Sequence, residues 1–199
     1  MKKFINNTIL FLSFIVIALI CIIIFVPVKY LPLDVNPDAI HVVTVPGAQA
    51  VEYYDVYGKN ESEILQEMKT KGVGRIGGDA ITSYDIGYKF YKFNPDTPEC
   101  FIRDVEVTYN VKVVIPRWVN LKEASLADVW WWESTVKYFA YHEGVHVQIL
   151  LDNVGSVKTA IEAGNCETAA AEGDKAIKAI QQMQNDYDRE VTREMQGGI

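Results

Sequence analysis

The amino-acid sequence predicts an α+β fold with an N-terminal transmembrane helix, an antiparallel strand-rich half and a C-terminal helical hairpin. Three observations support this prediction: an uncharged apolar run near the N-terminus, stretches of alternating apolar and polar residues, and long helical spacing after Pro116. Hydrophobic residues make up 49% of the chain and charged residues 23%, so a folded core is expected rather than disorder. The 199 residues suit one globular domain with an appendage.

The N-terminal segment has the character of a membrane anchor. Lys2 and Lys3 precede 18 uncharged residues from Ile9 to Val26, which meets the lower limit for a helix that crosses a bilayer. A cleaved signal peptide would have a shorter apolar region and a cleavage site of small residues. Residues 1–30 are therefore predicted to be a cytoplasmic N-terminus and an uncleaved signal anchor. The rest would then lie outside the cytoplasmic membrane, in the periplasm or extracellular space.

The exported part is predicted to comprise a proline-containing linker at residues 31–39 and one domain at residues 40–199. It carries 17 basic and 26 acidic residues, a net charge of −9, which argues against a nucleic-acid-binding surface. Its two cysteines, Cys100 and Cys166, either form a disulfide in an oxidising compartment or are two free buried thiols.

The N-terminal half of this domain is predicted to be rich in strands. Alternating or β-branched residues indicate strands at residues 40–44, 51–57, 82–93 and 101–115. Turn residues join the first pair at Pro46-Gly47 and the second pair at residues 94–98, and Pro116 ends the strand region. Apolar residues at helical spacing predict a short helix from Glu61 to Lys71, followed by a glycine-rich loop at residues 72–78.

The C-terminal half is predicted to be helical. Ser125 and Asp128 have the spacing of a capping box that opens a helix. Helical spacing continues past Leu151 to about Gly164, with a kink or interruption at Gly155, and a last helix runs from about Cys166 to Met195. Two such helices joined by a short turn fold back on each other as a hairpin.

The first of these helices carries the sequence His142-Glu143-Gly144-Val145-His146. Histidines at i and i+4 lie on one face of a helix, where both imidazoles can reach one zinc ion. In this motif the glutamate acts as general base on a water bound to the zinc. The motif therefore predicts a zinc site, although so short a pattern also occurs by chance on polar helices.

A third zinc ligand is less clearly marked. Glu167 lies about 20 residues downstream, a spacing found in one class of such sites. Hairpin geometry places residues 182–188 opposite the two histidines, which brings in Asp188, with Glu194 beyond it. Each of these acids can also lie on a solvated helix face.

Four segments together resemble a bacterial family, the domain of unknown function 922 group, described as predicted secreted zinc-dependent proteases. They are Ile115-Pro116-Arg117-Trp118, Tyr141 to His146, Asn165-Cys166-Glu167 and Tyr187 to Glu190. The resemblance covers roughly residues 50–195. It implies a strand-rich N-terminal half, a disulfide between Cys100 and Cys166, and a zincin-like helix.

The family pattern also ends in Tyr-Asp-x-x-Thr-x-His-Gly, and its histidine is a plausible third ligand. Tyr187 and Asp188 match this pattern, but Arg193 stands at the position of the histidine, or Glu194 if one residue is inserted. This departure leaves two alternatives, a carboxylate as the third ligand or a degenerate site. Among the carboxylates we predict Asp188, ahead of Glu194 and Glu167.

The sequence thus predicts a membrane-anchored, zinc-dependent endopeptidase that acts on a peptide or protein substrate. His142, His146 and Asp188 would hold Zn²⁺, Glu143 would be the general base, and Tyr187 would stabilise the oxyanion. The alternative is a non-catalytic envelope protein, with the strands as a binding or structural module and a degenerate or purely structural metal site.

Overall fold

The computed structural model describes residues 2–31, 43–71 and 80–197, and the side chains from residue 12 onward except residue 21. Within them the helices are α1 (Lys2–Phe25), α2 (Glu61–Lys71), α3 (Leu126–Asn153), α4 (Gly155–Ala163) and α5 (Ala169–Gly197). The strands are β1 (Ala50–Val56), β2 (Ile81–Phe93) and β3 (Phe101–Trp118), and short 3-10 turns occur at Val28–Tyr30 and Leu121–Glu123. These elements confirm the predicted α+β class.

The described residues divide into two compact units. The first is drawn from residues 1–44, 53–80 and 114–140, and the second from residues 45–52, 81–113 and 141–199. The two histidines of the motif, the C-terminal helical hairpin, Cys100 and Cys166 all belong to the second unit.

The three strands form one sheet in the order β1-β3-β2. Strands β2 and β3 are an antiparallel hairpin, as predicted, and Lys89 pairs with Glu106 across it at 2.8 Å. Strand β1 is parallel to β3, whereas an antiparallel sheet was predicted. The Gln49 amide donates to the Val111 carbonyl at 3.0 Å, and the Val119 amide donates to the Val56 carbonyl at 3.1 Å. The residue numbers of the paired residues rise together along the two strands, which is the mark of parallel pairing. Helix α2 and strand β2 intervene, so the chain can return in parallel.

Strand β3 continues past Pro116 to Trp118, so the prediction that Pro116 ends the strand was wrong. The cause is the burial of Trp118, whose indole N–H donates to the Gly58 carbonyl at 2.9 Å. Its ring packs edge-on against Trp132, with centroids 5.7 Å apart, in the core of the first unit. The end of the strand is therefore held by a hydrogen bond from the indole and by the packing of its ring.

The predictions for the N-terminal segment are confirmed only in part. Helix α1 forms where the apolar run predicts a helix, and most of its described large apolar side chains are exposed. Among the described residues, however, no helix combines the length and the hydropathy that crossing a membrane requires, so the predicted transmembrane span is not supported. Most of the predicted strand at residues 40–44, most of the linker and the loop at residues 72–78 lie outside the described residues, and Val43 and Thr44 are not in a strand.

The predicted start and break of the helical half are confirmed. The Ser125 hydroxyl accepts a hydrogen bond from the Asp128 amide at 3.2 Å, which caps α3. Helix α3 ends at Asn153 and α4 begins at Gly155. Helices α4 and α5 then pack closely as the predicted hairpin.

Gly164 closes the turn between α4 and α5. A Cβ on Gly164 would lie 2.7 Å from the Cα and 2.9 Å from the amide nitrogen of Ala169, both backbone atoms, whereas a Cβ on Gly155 meets nothing within 4 Å. Gly164→Ala should therefore lower the free energy of unfolding by about 1–3 kcal/mol, and the control Gly155→Ala should raise it by about 0.4–1 kcal/mol. Chemical denaturation of both variants checks this, and equal effects would contradict it.

A disulfide joins Cys100, in the turn of the strand hairpin, to Cys166, in the turn of the helical hairpin, with Cα atoms 6.1 Å apart. Both cysteines belong to the second unit, and the disulfide closes a long loop, since 66 positions separate them. Replacing both with serine should lower the free energy of unfolding by about 2–4 kcal/mol, because the unfolded chain regains the entropy of that loop. Denaturation with and without reductant checks this; an unfolding curve that reductant leaves unchanged in the wild type would contradict it.

Candidate metal centre

Three side chains of the second unit bring their donor atoms together. His142 and His146 lie one turn apart on α3, and Asp188 faces them from α5. The two Nε2 atoms are 3.2 Å apart, and Asp188 Oδ1 lies 3.2 Å from Nε2 of His142 and 2.9 Å from Nε2 of His146. The prediction from hairpin geometry, that Asp188 faces the histidine pair, is confirmed.

These spacings fit a bound metal ion. Ligand atoms about 2.0–2.1 Å from a tetrahedral zinc ion lie about 3.3 Å from one another. Two imidazole nitrogens and one carboxylate oxygen are also a donor set that zinc takes in proteins. The three residues can therefore hold a metal ion, with His146 buried, His142 half-buried and Asp188 exposed.

His146 is fixed from its other side by Gln184 of α5. The Nδ1 atom of His146 lies 2.5 Å from Oε1 of Gln184, and Nε2 of Gln184 donates to the His146 carbonyl at 3.0 Å. The two residues are 8% and 5% exposed, so solvent contributes little to holding the ring. Nothing in the HExxH motif points to Gln184; the only signal for it is its place in the window of residues 182–188, one turn before Asp188.

Glu143 is held by the edge strand β2. Its side chain is only 4% exposed, and the Thr82 hydroxyl donates to its Oε2 at 2.7 Å. The same hydroxyl lies 3.3 Å from the Glu143 backbone carbonyl, the weaker of its two acceptors. One carboxylate oxygen is thus engaged and the rotamer is fixed. No sequence feature identified Thr82, because the contact depends on where β2 lies relative to the helix.

Tyr187 lies against the two histidines. Its ring is stacked on His142, with centroids 5.0 Å apart and an interplanar angle of 28°, and it meets His146 edge-on at 5.1 Å. The predicted candidate is therefore beside the metal-binding group, and its ring restricts how both imidazoles can turn.

A tyrosine from β2 fastens the start of α5. The Tyr88 hydroxyl lies 2.8 Å from an Asp174 carboxylate oxygen and 3.1 Å from the Ala170 carbonyl. Burial raises the pKa of Tyr88, and the hydrogen bond to Asp174 raises it further, so the hydroxyl stays protonated and remains a donor. This contact and the disulfide both tie α5, which carries Gln184 and Asp188, to the strand hairpin.

The other carboxylates considered as ligands, Glu167 and Glu194, are described but do not belong to the metal-binding group. Both are exposed. Arg193, which replaces the histidine of the family pattern, is exposed as well, and Asp188 supplies the carboxylate oxygen near the histidines.

Comparison with protein families gives a match over most of the chain. The family described as "Bacterial protein of unknown function (DUF922)" matches residues 51–197, which include every residue of the metal-binding group. No curated protein and no solved structure matches the chain.

Proposed function

We propose that this chain, which belongs to the bacterial family DUF922, is a zinc-dependent endopeptidase. The observation that carries the proposal is the convergence of His142, His146 and Asp188 beside a buried glutamate. A glutamate directly after the first histidine, on the same helix, is the arrangement in which it serves as general base in zinc peptidases.

When bound, zinc would polarise the scissile carbonyl and lower the pKa of a water ligand. His142 and His146 offer nitrogen lone pairs and Asp188 offers a negative oxygen, so this chain supplies three ligands, as open catalytic zinc sites do. Two neutral imidazoles and one carboxylate leave a net positive charge on a divalent ion, which favours its action as a Lewis acid.

Glu143 is the residue that would take a proton from the attacking water and pass it to the leaving amine. Thr82 occupies its Oε2, so Oε1 is the oxygen left for that transfer. The low exposure of the side chain strengthens such electrostatic interactions, because little water screens them. Tyr187 carries a hydroxyl beside the ligand set and is the proposed donor to the developing oxyanion.

The proposed site of action is outside the cytoplasm. The Cys100–Cys166 disulfide supports this, since disulfides persist in oxidising compartments and are rare in the cytosol. The apolar residues at the N-terminus are the segment that would direct export. The proposed substrate is a peptide or protein.

Zinc content tests the proposal. The full-length wild type should bind one zinc ion, and His146→Ala should bind less than a tenth of that amount under the same conditions. Circular dichroism of both proteins would show that the fold is retained. A folded wild type that binds no zinc would overturn the proposal.

The replacement of the family's C-terminal histidine by Arg193 favours a second candidate function. A non-catalytic envelope protein with a structural metal site would bind zinc yet cleave no peptide. Screening zinc-loaded wild type against a quenched-fluorescence peptide library separates the two, because only the peptidase releases fluorescence.

A further inference from the structure

We propose that Gln184 is a positioning residue that fixes His146 as the tautomer protonated at Nδ1, with the Nε2 lone pair directed at the metal site. This inference rests on the proposed zinc function. It adds a residue that neither the HExxH motif nor the family match assigns, and the role follows from two hydrogen bonds and the burial of both side chains.

The orientation of the Gln184 amide follows from its two partners. Its two ends face different partners: one lies 3.0 Å from the His146 carbonyl, and the other lies 2.5 Å from Nδ1 of His146. A carbonyl oxygen can only accept a hydrogen bond, so the amide nitrogen must face it. The amide oxygen is then left against Nδ1, and flipping the amide would set two oxygens against each other.

The tautomer follows from that orientation. The Gln184 Oε1 atom is an acceptor, so Nδ1 must carry the proton at this short distance. In a neutral imidazole the proton on one nitrogen leaves a lone pair on the other, and Nε2 is the atom that faces Asp188 and His142. Gln184 therefore presents His146 in the form that a metal ion requires.

Asp188 competes for the same proton, because its carboxylate lies 2.9 Å from Nε2 and would accept from an Nε2–H group. The Asp188 side chain is 53% exposed, so solvent can satisfy it. Gln184 is 5% exposed, and its oxygen would be left facing a lone pair if the proton moved to Nε2. Leaving a buried acceptor unsatisfied costs more free energy than losing a contact to an exposed acceptor. The tautomer protonated at Nδ1 is therefore the more stable one.

Zinc affinity tests the role of Gln184. Methionine matches the length of glutamine but its sulfur is only a weak hydrogen-bond acceptor, so Gln184→Met should weaken zinc binding by about 10–100-fold. Gln184→Glu keeps an oxygen toward Nδ1 but sets its second oxygen against the His146 carbonyl, so it should bind zinc more tightly than Gln184→Met and less tightly than the wild type. Gln181→Met, an exposed position on the same helix, is the matched control and should leave affinity unchanged. Competition with a chelator gives each dissociation constant for the full-length chain.

The tautomer itself can be read without a variant. The chain has three histidines, so nitrogen-detected NMR of the metal-free wild type gives a spectrum simple enough to assign by comparison with His146→Ala. At a pH where the ring is neutral, His146 should carry its proton on Nδ1. A proton on Nε2 would overturn the inference, and this reading stands even if Gln184→Met fails to fold.

The outcomes separate this inference from the proposed function. A wild type that binds no zinc overturns the peptidase proposal, whereas the NMR experiment still decides the tautomer. A wild type that binds zinc, with Gln184→Met folded and equal to it in affinity, overturns only the role of Gln184.

Discussion

Replacing Glu143 with glutamine is expected to lower the rate of peptide hydrolysis by about 10²–10⁴-fold, the contribution of a positioned general base. Zinc binding should stay at one ion per chain, because Glu143 is not part of the group formed by His142, His146 and Asp188. The measurement is the turnover of a peptide identified in the library screen, alongside the zinc content of the same preparation.

The fold should tolerate this substitution. Glutamine has the shape of glutamate, and its amide oxygen can accept the hydrogen bond that the Thr82 hydroxyl now donates to Oε2. Glu162→Gln is a suitable control, since Glu162 lies on the exposed face of α4 beside Lys158. A Glu143→Gln variant that binds zinc and keeps wild-type turnover would contradict the assignment of Glu143 as the base.

Removing the carboxylate of Asp188 is expected to have the second largest effect. Asp188→Ala takes away one of three donors, so zinc affinity should fall by more than the roughly 10–100-fold loss typical of residues that only support a ligand. Asp188→Asn should give a smaller loss, since an amide oxygen can still reach the ion but carries no negative charge. Chelator competition with both variants provides the measurement.

Two controls make this prediction specific. Glu194→Ala and Glu167→Ala remove the other carboxylates that the sequence brings into consideration, and both lie outside the metal-binding group. Neither variant should change zinc affinity by more than about 3-fold, the change expected at an exposed site remote from a ligand. A large loss in Glu194→Ala with none in Asp188→Ala would move the third ligand to Glu194.

The helical part of the site could be predicted from the sequence because its geometry is local. The i, i+4 spacing fixes the histidine pair on one face of α3, and the length of the hairpin fixes which part of α5 lies opposite. Those two rules were enough to bring Asp188 to the pair. The same window contains Gln184, which the sequence does not single out because glutamine is not a usual zinc ligand. Its role depends on which side of the imidazole it contacts.

The strand part could not be predicted to the same depth. Alternation along a strand indicates which residues share a face, but it does not say which strands are neighbours or in which direction they pair. The parallel pairing of β1 with β3 was therefore missed, as was the contact of Thr82 with Glu143. Trp118 kept β3 extended beyond Pro116, an effect of burial that overrides a local signal.

X-ray absorption at the zinc edge of the zinc-loaded, full-length chain identifies the ligand atoms of the metal. The predicted ligands are two imidazole nitrogens and one or more oxygens at about 2.0–2.1 Å from the zinc. His146→Ala should lose one of the imidazoles. A zinc ion in the wild type with sulfur ligands, or with no imidazole, would contradict the claim that His142, His146 and Asp188 hold the metal.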